Sequence, residues 1–396
     1  MSKKISIGLA ISLMAISAAI TFIIPTSYSM NLYNSLIADV QQRAEMYTKL
    51  EQIDTYVRSY YDGTIDEDQL IESLARSYIS VLGSNQAVYR NAQETAAFQE
   101  QRSGVHLGIG VYTQEVGGFP SVTRVLDSSP AASVGIREGD SIVEINGEST
   151  QDMGYVRAYS MLTAEAGTTM TLTIRSGGED RRLEITSVQI NIASVRARVF
   201  DSVGYIRITD FNEKTYQQFM SSYSSLATTD SITSLIIDLR NNSGVIHEPV
   251  FNLLNSILPE GSVPYVMTDM SGEITEGEPC EGGSAAGIPI AVLVNSKSSG
   301  PAELFSASLR DSLGARIVGT TTAGNAKLLE TYSLYDSTAI SLPIATLSGV
   351  STGYDSIGIK PDYEVQPSSD SQSEGASSDE SDPCIKKAME ILSQQR

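Results

Sequence analysis

Apolar and polar positions change period several times along the chain, and each change predicts a different element. Residues 5–24 are an uncharged, mostly apolar run behind Lys3 and Lys4. Twenty residues at helical rise match the thickness of a bilayer core. Leu36, Val40, Tyr47, Leu50, Val57 and Tyr61 then recur at spacings of three, four and seven, one apolar stripe on a helix. Such a stripe either packs on its own domain or pairs with a second copy of the chain. A second helix is predicted from near Asp66 through Leu70, Leu74 and Tyr78 to Gly83.

Near Gly104 the pattern shortens to β-like runs punctuated by glycine turns. From Val203 onward strands and helices alternate. The runs Leu235-Ile-Ile-Asp-Leu239 and Ile290-Ala-Val-Leu-Val294 are apolar without period-two alternation, as buried parallel strands are. Ile317-Val-Gly-Thr320 reads as a third. The pattern predicts an α/β fold. Residues 368–382 are rich in Ser, Asp and Glu with no large apolar side chain, so disorder is expected there. Residues 383–392 read as a short amphipathic helix.

The chain has 396 residues, enough for two or three domains with cores of their own. Its 47 acidic against 27 basic side chains give a net charge of −20, which argues against nucleic acid as a partner. Lys3 and Lys4 place the N-terminus on the cytoplasmic side of the membrane and the bulk of the chain outside. The apolar run is therefore read as an uncleaved signal anchor that makes this a single-pass protein of the cell membrane. Cleavage near residues 27–29 is the alternative. Cys280 and Cys384 are the only cysteines; an extracytoplasmic setting permits a disulfide, but their distance in sequence does not establish one. CxxC and Cys/His metal spacings are absent, so neither a metal nor a cofactor is expected.

Two groups of motifs carry a resemblance. Leu107-Gly-Ile-Gly110 is followed by Ser129-Pro-Ala-Ala-Ser-Val-Gly-Ile-Arg-Glu-Gly-Asp-Ser-Ile-Val-Glu-Ile-Asn-Gly147. Farther on come Leu235-Ile-Ile-Asp-Leu-Arg-Asn-Asn-Ser-Gly244, Asn295-Ser-Lys-Ser-Ser-Gly-Pro-Ala-Glu303 and Gly358-Ile-Lys-Pro-Asp362. Together they resemble the carboxy-terminal processing peptidases, or tail-specific proteases, over about residues 31–366. The resemblance implies a tail-specific-protease core with an inserted β-rich PDZ domain and a helical N-terminal region. The implied divisions are 1–30 anchor, 31–102 helical region, 103–190 PDZ domain, 191–366 core, and 367–396 acidic tail with a short helix. It also implies that Leu107, Gly108, Ile109 and Gly110 receive a peptide carboxylate on backbone N–H groups, beside a helix over residues 155–162. The expected partners are peptide or protein C-termini.

The same resemblance makes the catalytic positions conspicuous. In the family a Ser three residues before the loop's Glu attacks the peptide, and here that position is Gly300. The family's base is a Lys, where this chain has Asn325, and the Gln that orients it is replaced by Leu329. Asn is not basic and Leu cannot hydrogen-bond. One oxyanion donor is the backbone N–H after the nucleophile, and Pro301 has none. Losing such a donor costs about 3 kcal/mol of transition-state stabilisation. The other donor, Gly244, is retained, although the family's second glycine is Val245. A relocated pair is the fallback: Ser299, or Ser298 beside it, with Lys327. His106 and His247 are the only histidines, and His247 follows the Gly244 turn. The expectation is a catalytically silent member that binds C-termini. The rivals are an active serine endopeptidase using the relocated pair and a structural oligomer without peptide binding.

Overall fold

Parallel pairing links five strands of a six-stranded sheet, in the order Val195–Phe200, Val203–Ile208, Ser234–Asp238, Ile290–Val294, Arg316–Gly319, Tyr363–Glu364. Only Val195–Phe200, at one edge, runs antiparallel to its neighbour. Every residue of Ser234–Asp238 and Ile290–Val294 is buried, because both faces of the sheet are covered. Leu235, Ile237, Val292 and Val294 pack with the helices Thr215–Thr228, Glu248–Ile257 and Pro301–Leu313. Ile236, Ala291 and Leu293 face the other way, onto the helix Pro383–Gln394. The structure, a computed structural model, describes residues 40–83, 86–244, 246–283, 287–366 and 381–394. The apolar run at 5–24 and most of the acidic tail expected to be disordered lie outside those residues. Among the described residues no helix is long and apolar enough to cross a membrane.

The C-terminal helix is locked by a buried ion cluster. Arg240 donates to Asp238 Oδ2 at 2.6 Å and to Asp382 Oδ2 at 2.9 Å, with all three side chains at most 1 % exposed. Tyr205 adds a hydrogen bond to Asp238 at 2.7 Å. The other Asp382 oxygen accepts from the Cys384 N–H at 2.8 Å, capping the helix it precedes. Burial pushes the Asp238 carboxyl up, but the guanidinium beside it outweighs burial and holds it below its usual range. Cys280 and Cys384 are free and buried in clusters on opposite faces of the sheet, so the permitted disulfide is not formed.

The PDZ domain is an antiparallel sheet of Val111–Val116, Phe119–Val125, Ser141–Ile145, Thr169–Ser176 and Glu179–Thr186, with Glu148–Ser149 paired to Ser141–Ile145. Its core gathers Ile109, Val122, Ile142, Leu162, Leu172 and Ile174. The strand entering it, Val105–Gly108, pairs antiparallel with the strand leaving it, Val188–Asn191. The insertion thus closes on a two-stranded stem. His106 is buried in that stem, its Nδ1 3.0 Å from Glu100 Oε1.

The chain divides into two compact units, residues 1–71 and 72–396. In the first, residues 40–60 are helical. The helix carries most of the predicted stripe, and Val40 and Tyr47 are 66 % and 63 % exposed. The predicted second helix spans Glu67–Ser80.

Asp382→Ala leaves Arg240 paired with Asp238 but removes its second carboxylate and the cap of the C-terminal helix. It is expected to destabilise the protein by about 2–3 kcal/mol. It should also expose the C-terminal helix to limited proteolysis. Denaturant unfolding that shifts by less than about 1 kcal/mol would show that the cluster does not hold this helix.

Candidate functional site

Three turns converge at the carboxyl ends of neighbouring parallel strands, where open α/β sheets place their sites. They follow Ser234–Asp238, Ile290–Val294 and Arg316–Gly319. Asn241 and Asn295 join the first two by reciprocal hydrogen bonds, Asn295 Nδ2 to Asn241 Oδ1 at 2.8 Å and Asn241 N–H to Asn295 Oδ1 at 3.0 Å. The Ser299 N–H donates to the Asn242 carbonyl at 2.9 Å, and the Ala323 N–H to the Ser298 carbonyl at 3.0 Å.

Glu303 holds the assembly from beneath. It is fully buried on the first turn of Pro301–Leu313. Its Oε2 accepts from the Gly300 N–H at 3.0 Å and the Asn325 N–H at 2.8 Å. Its Oε1 accepts from the Gly324 N–H at 2.7 Å and from the Thr322 hydroxyl. One carboxylate therefore fixes the Gly300 and Asn325 positions relative to each other. From the sequence, Glu303 serves only as a motif anchor; a Glu three residues after a helix start is the signal for part of its role.

Gly300 precedes that helix at φ 56° and ψ −112°. Side-chain-bearing residues rarely adopt this conformation, which is the strained strand-to-helix turn used to expose a nucleophile. An added Cβ would meet nothing nearer than the Ser243 carbonyl at 3.7 Å. The turn has room for a side chain at Gly300 and carries none. Pro301 occupies the first helical position, where a missing N–H costs the helix nothing. Gly244 lies against the same proline: a Cβ there would come within 2.5 Å of the Pro301 ring.

Ser298 and Lys327 of the fallback set are engaged with other partners. Ser298 is buried, accepts from the Asn295 N–H at 3.0 Å and donates its own proton to the Leu239 carbonyl at 2.9 Å. Lys327 Nζ donates to Thr346 Oγ1 at 2.8 Å and to Asp355 Oδ2 at 2.9 Å. Among the described residues, its hydrogen bonds go to these groups and not to Ser298 or Ser299. The Asn325 side chain accepts from the Lys327 N–H at 3.3 Å. Val245 lies outside the described residues.

Leu329 lines a cavity of about 500 Å³ with Phe98, Gly244, His247, Phe251 and Leu328. His247 stacks on Phe251 with ring centroids 6.2 Å apart. Burial lowers its pKa from 6.5 to about 4, which keeps the ring neutral. Among the described residues no cluster of His, Cys, Asp and Glu is suited to hold a metal ion.

On the PDZ domain, Leu107 and Gly108 end the stem strand, opposite Gln189 and Val188. Ile109 is fully buried, and Gly110 turns at φ 87° into the strand Val111–Val116. The expected groove helix spans Tyr155–Leu162.

Two outcomes follow. Gly300→Ser should fold with its frame intact but lose about 1–3 kcal/mol to backbone strain; unchanged stability would show that the turn is not strained for serine. His247 gives a pH signature. Between 6.5 and about 4 the unfolded chain protonates this imidazole while the native chain does not. Its stability contribution is therefore complete above pH 6.5 and lost as pH falls towards 4, by about 3 kcal/mol. Denaturant unfolding of His247→Phe should lose less stability over that interval, and parallel losses would refute the assignment.

The model of peptidase family S41 matches residues 202–365, and that of the PDZ domain matches residues 96–175. The chain is 27 % identical over 318 residues to a carboxy-terminal-processing protease of Bartonella bacilliformis, covering 78 % of this chain and 73 % of that protein. It is 25 % identical over 323 residues to the carboxy-terminal processing protease CtpA of Bacillus subtilis, covering 81 % and 69 %. Among solved structures, the photosystem II D1 C-terminal processing protease superposes with a TM-score of 0.45 at 21 % identity, over 80 % of this chain and 86 % of that one. Residues 202–365 thus carry a peptidase S41 core and residues 96–175 a PDZ domain, in a chain similar to carboxy-terminal processing proteases.

Proposed function

We propose that this chain is a membrane-anchored, extracytoplasmic pseudopeptidase that captures peptide or protein C-termini through its PDZ domain without cleaving them. The observation that carries the reading is Gly300: a nucleophile turn at φ 56° with no side chain to act. Around it, Asn325 and Leu329 supply neither a base nor its orienter, and Pro301 supplies no oxyanion N–H. The committed hydrogen bonds of Ser298 and Lys327 support the same conclusion. Anchoring rests on the apolar run at 5–24 behind Lys3 and Lys4. The exposed stripe on the helix at 40–60 suits pairing with a second copy of the chain.

The full chain purified in detergent should not degrade unfolded casein, and a fluorophosphonate probe should label no serine. Gly300→Ser with Asn325→Lys alone should restore little activity. Adding Pro301→Ala and Leu329→Gln should help more than additively, because catalytic groups act as a unit. A peptide with a free apolar C-terminus should bind with micromolar affinity, about −8 kcal/mol. Its C-terminal amide should bind more weakly, having lost the charged acceptor. Cleavage by the unmodified protein that Ser299→Ala or Lys327→Ala abolishes would overturn the silent reading, and equal binding of acid and amide would overturn carboxylate capture.

A further inference from the structure

The strand Val111–Val116 is an edge of the PDZ sheet. One side pairs with Phe119–Val125, and the other faces the helix Tyr155–Leu162. A peptide entering between them adds as a strand, giving N–H groups to strand carbonyls and its carboxylate to loop N–H groups. Both kinds of bond are already made, and the helix makes them. The Tyr155 hydroxyl donates to the Thr113 backbone carbonyl at 2.7 Å and lies 3.2 Å from the Thr113 hydroxyl. At the other end of the helix, the Leu162 carbonyl accepts from the Ile109 N–H at 3.2 Å. The approach at that end is close: a Cβ on Gly108 would stand 2.3 Å from the same Leu162 oxygen.

We infer that the helix Tyr155–Leu162 holds the PDZ groove shut, with the Tyr155 hydroxyl and the Leu162 carbonyl standing in for the N–H and the carboxylate of a peptide. The inference rests on the reading of the groove as a peptide site, and it adds how that site is regulated. The helix is built to lift. It has eight residues, too few to be stable alone. It starts at Gly154, at φ 82°, with no side-chain cap on its first turn. Ala158 and Leu162 anchor its inner face in the core, while Tyr155 and Tyr159 stack with ring centroids 6.1 Å apart nearer its start.

The two contacts also select what can open the groove. Leu162 offers a neutral carbonyl, and a carboxylate is the stronger acceptor for the same N–H. A free C-terminus gains by displacing it. An internal segment or an amidated end offers a neutral oxygen no better than the one already in place. The latch thus turns carboxylate recognition into a condition for opening, as well as a source of affinity.

Tyr155→Phe keeps the ring and its stack and removes only the donor. In the full chain, hydrogen exchange followed by mass spectrometry should speed up several-fold across residues 109–116 and 155–162. In the same preparation, a fluorescein-labelled decapeptide ending in a free leucine carboxylate should bind about 2- to 10-fold more tightly than to the unmodified chain. Tyr159→Phe should change neither readout. Unchanged exchange in Tyr155→Phe overturns the latch, whether or not any peptide binds. Weaker binding to Tyr155→Phe also overturns it, since the hydroxyl would then be part of the receptor. Faster exchange with no binding of the free-acid peptide by either protein upholds the latch and removes the peptide reading beneath it.

Discussion

A single buried carboxylate organises the site region. Glu303 accepts four hydrogen bonds, three from backbone N–H groups and one from Thr322, which leaves neither oxygen unpartnered. A charge without bulk water is tolerable only when its acceptor sites are filled this way. Filling them forces the turn after Ile290–Val294 and the turn after Arg316–Gly319 into one arrangement. Three of the four donors are backbone N–H groups, so this frame holds whatever side-chain chemistry Gly300 and Asn325 leave to it.

The same separation between frame and chemistry governs what could be read from the sequence. Buried parallel strands declare themselves as unbroken apolar runs, and the C-terminal helix, expected over 383–392, spans Pro383–Gln394. Gly300, Pro301, Asn325 and Leu329 are equally plain to read, because each differs in chemistry from the side chain that the resemblance implies at its position. What escaped was the pairing of residues distant in sequence. Arg240 meets Asp382 across 142 positions, Lys327 meets Asp355 across 28, and Tyr155 meets Thr113 across 42. No periodicity encodes such pairs. The stripe on the helix at 40–60 is a different case, since amphipathicity states that a face wants cover without naming the cover.

The PDZ domain and the core keep separate hydrophobic clusters, joined through the stem of Val105–Gly108 and Val188–Asn191. Gly108 belongs to that stem and also lies against the end of the groove helix. Whatever shifts Leu162 therefore acts directly on a strand pair that leads into the core.

The φ of Gly300 has a bearing on which substitutions this position accepts. A residue with a side chain stores strain in this turn, and glycine stores none. Replacing a side-chain-bearing residue by glycine here is downhill in stability, and the reverse is uphill. Natural proteins sit close to a stability threshold, so such steps are unequal in accessibility. The turn therefore acts as a ratchet, in which relief of backbone strain makes glycine easier to gain than to lose.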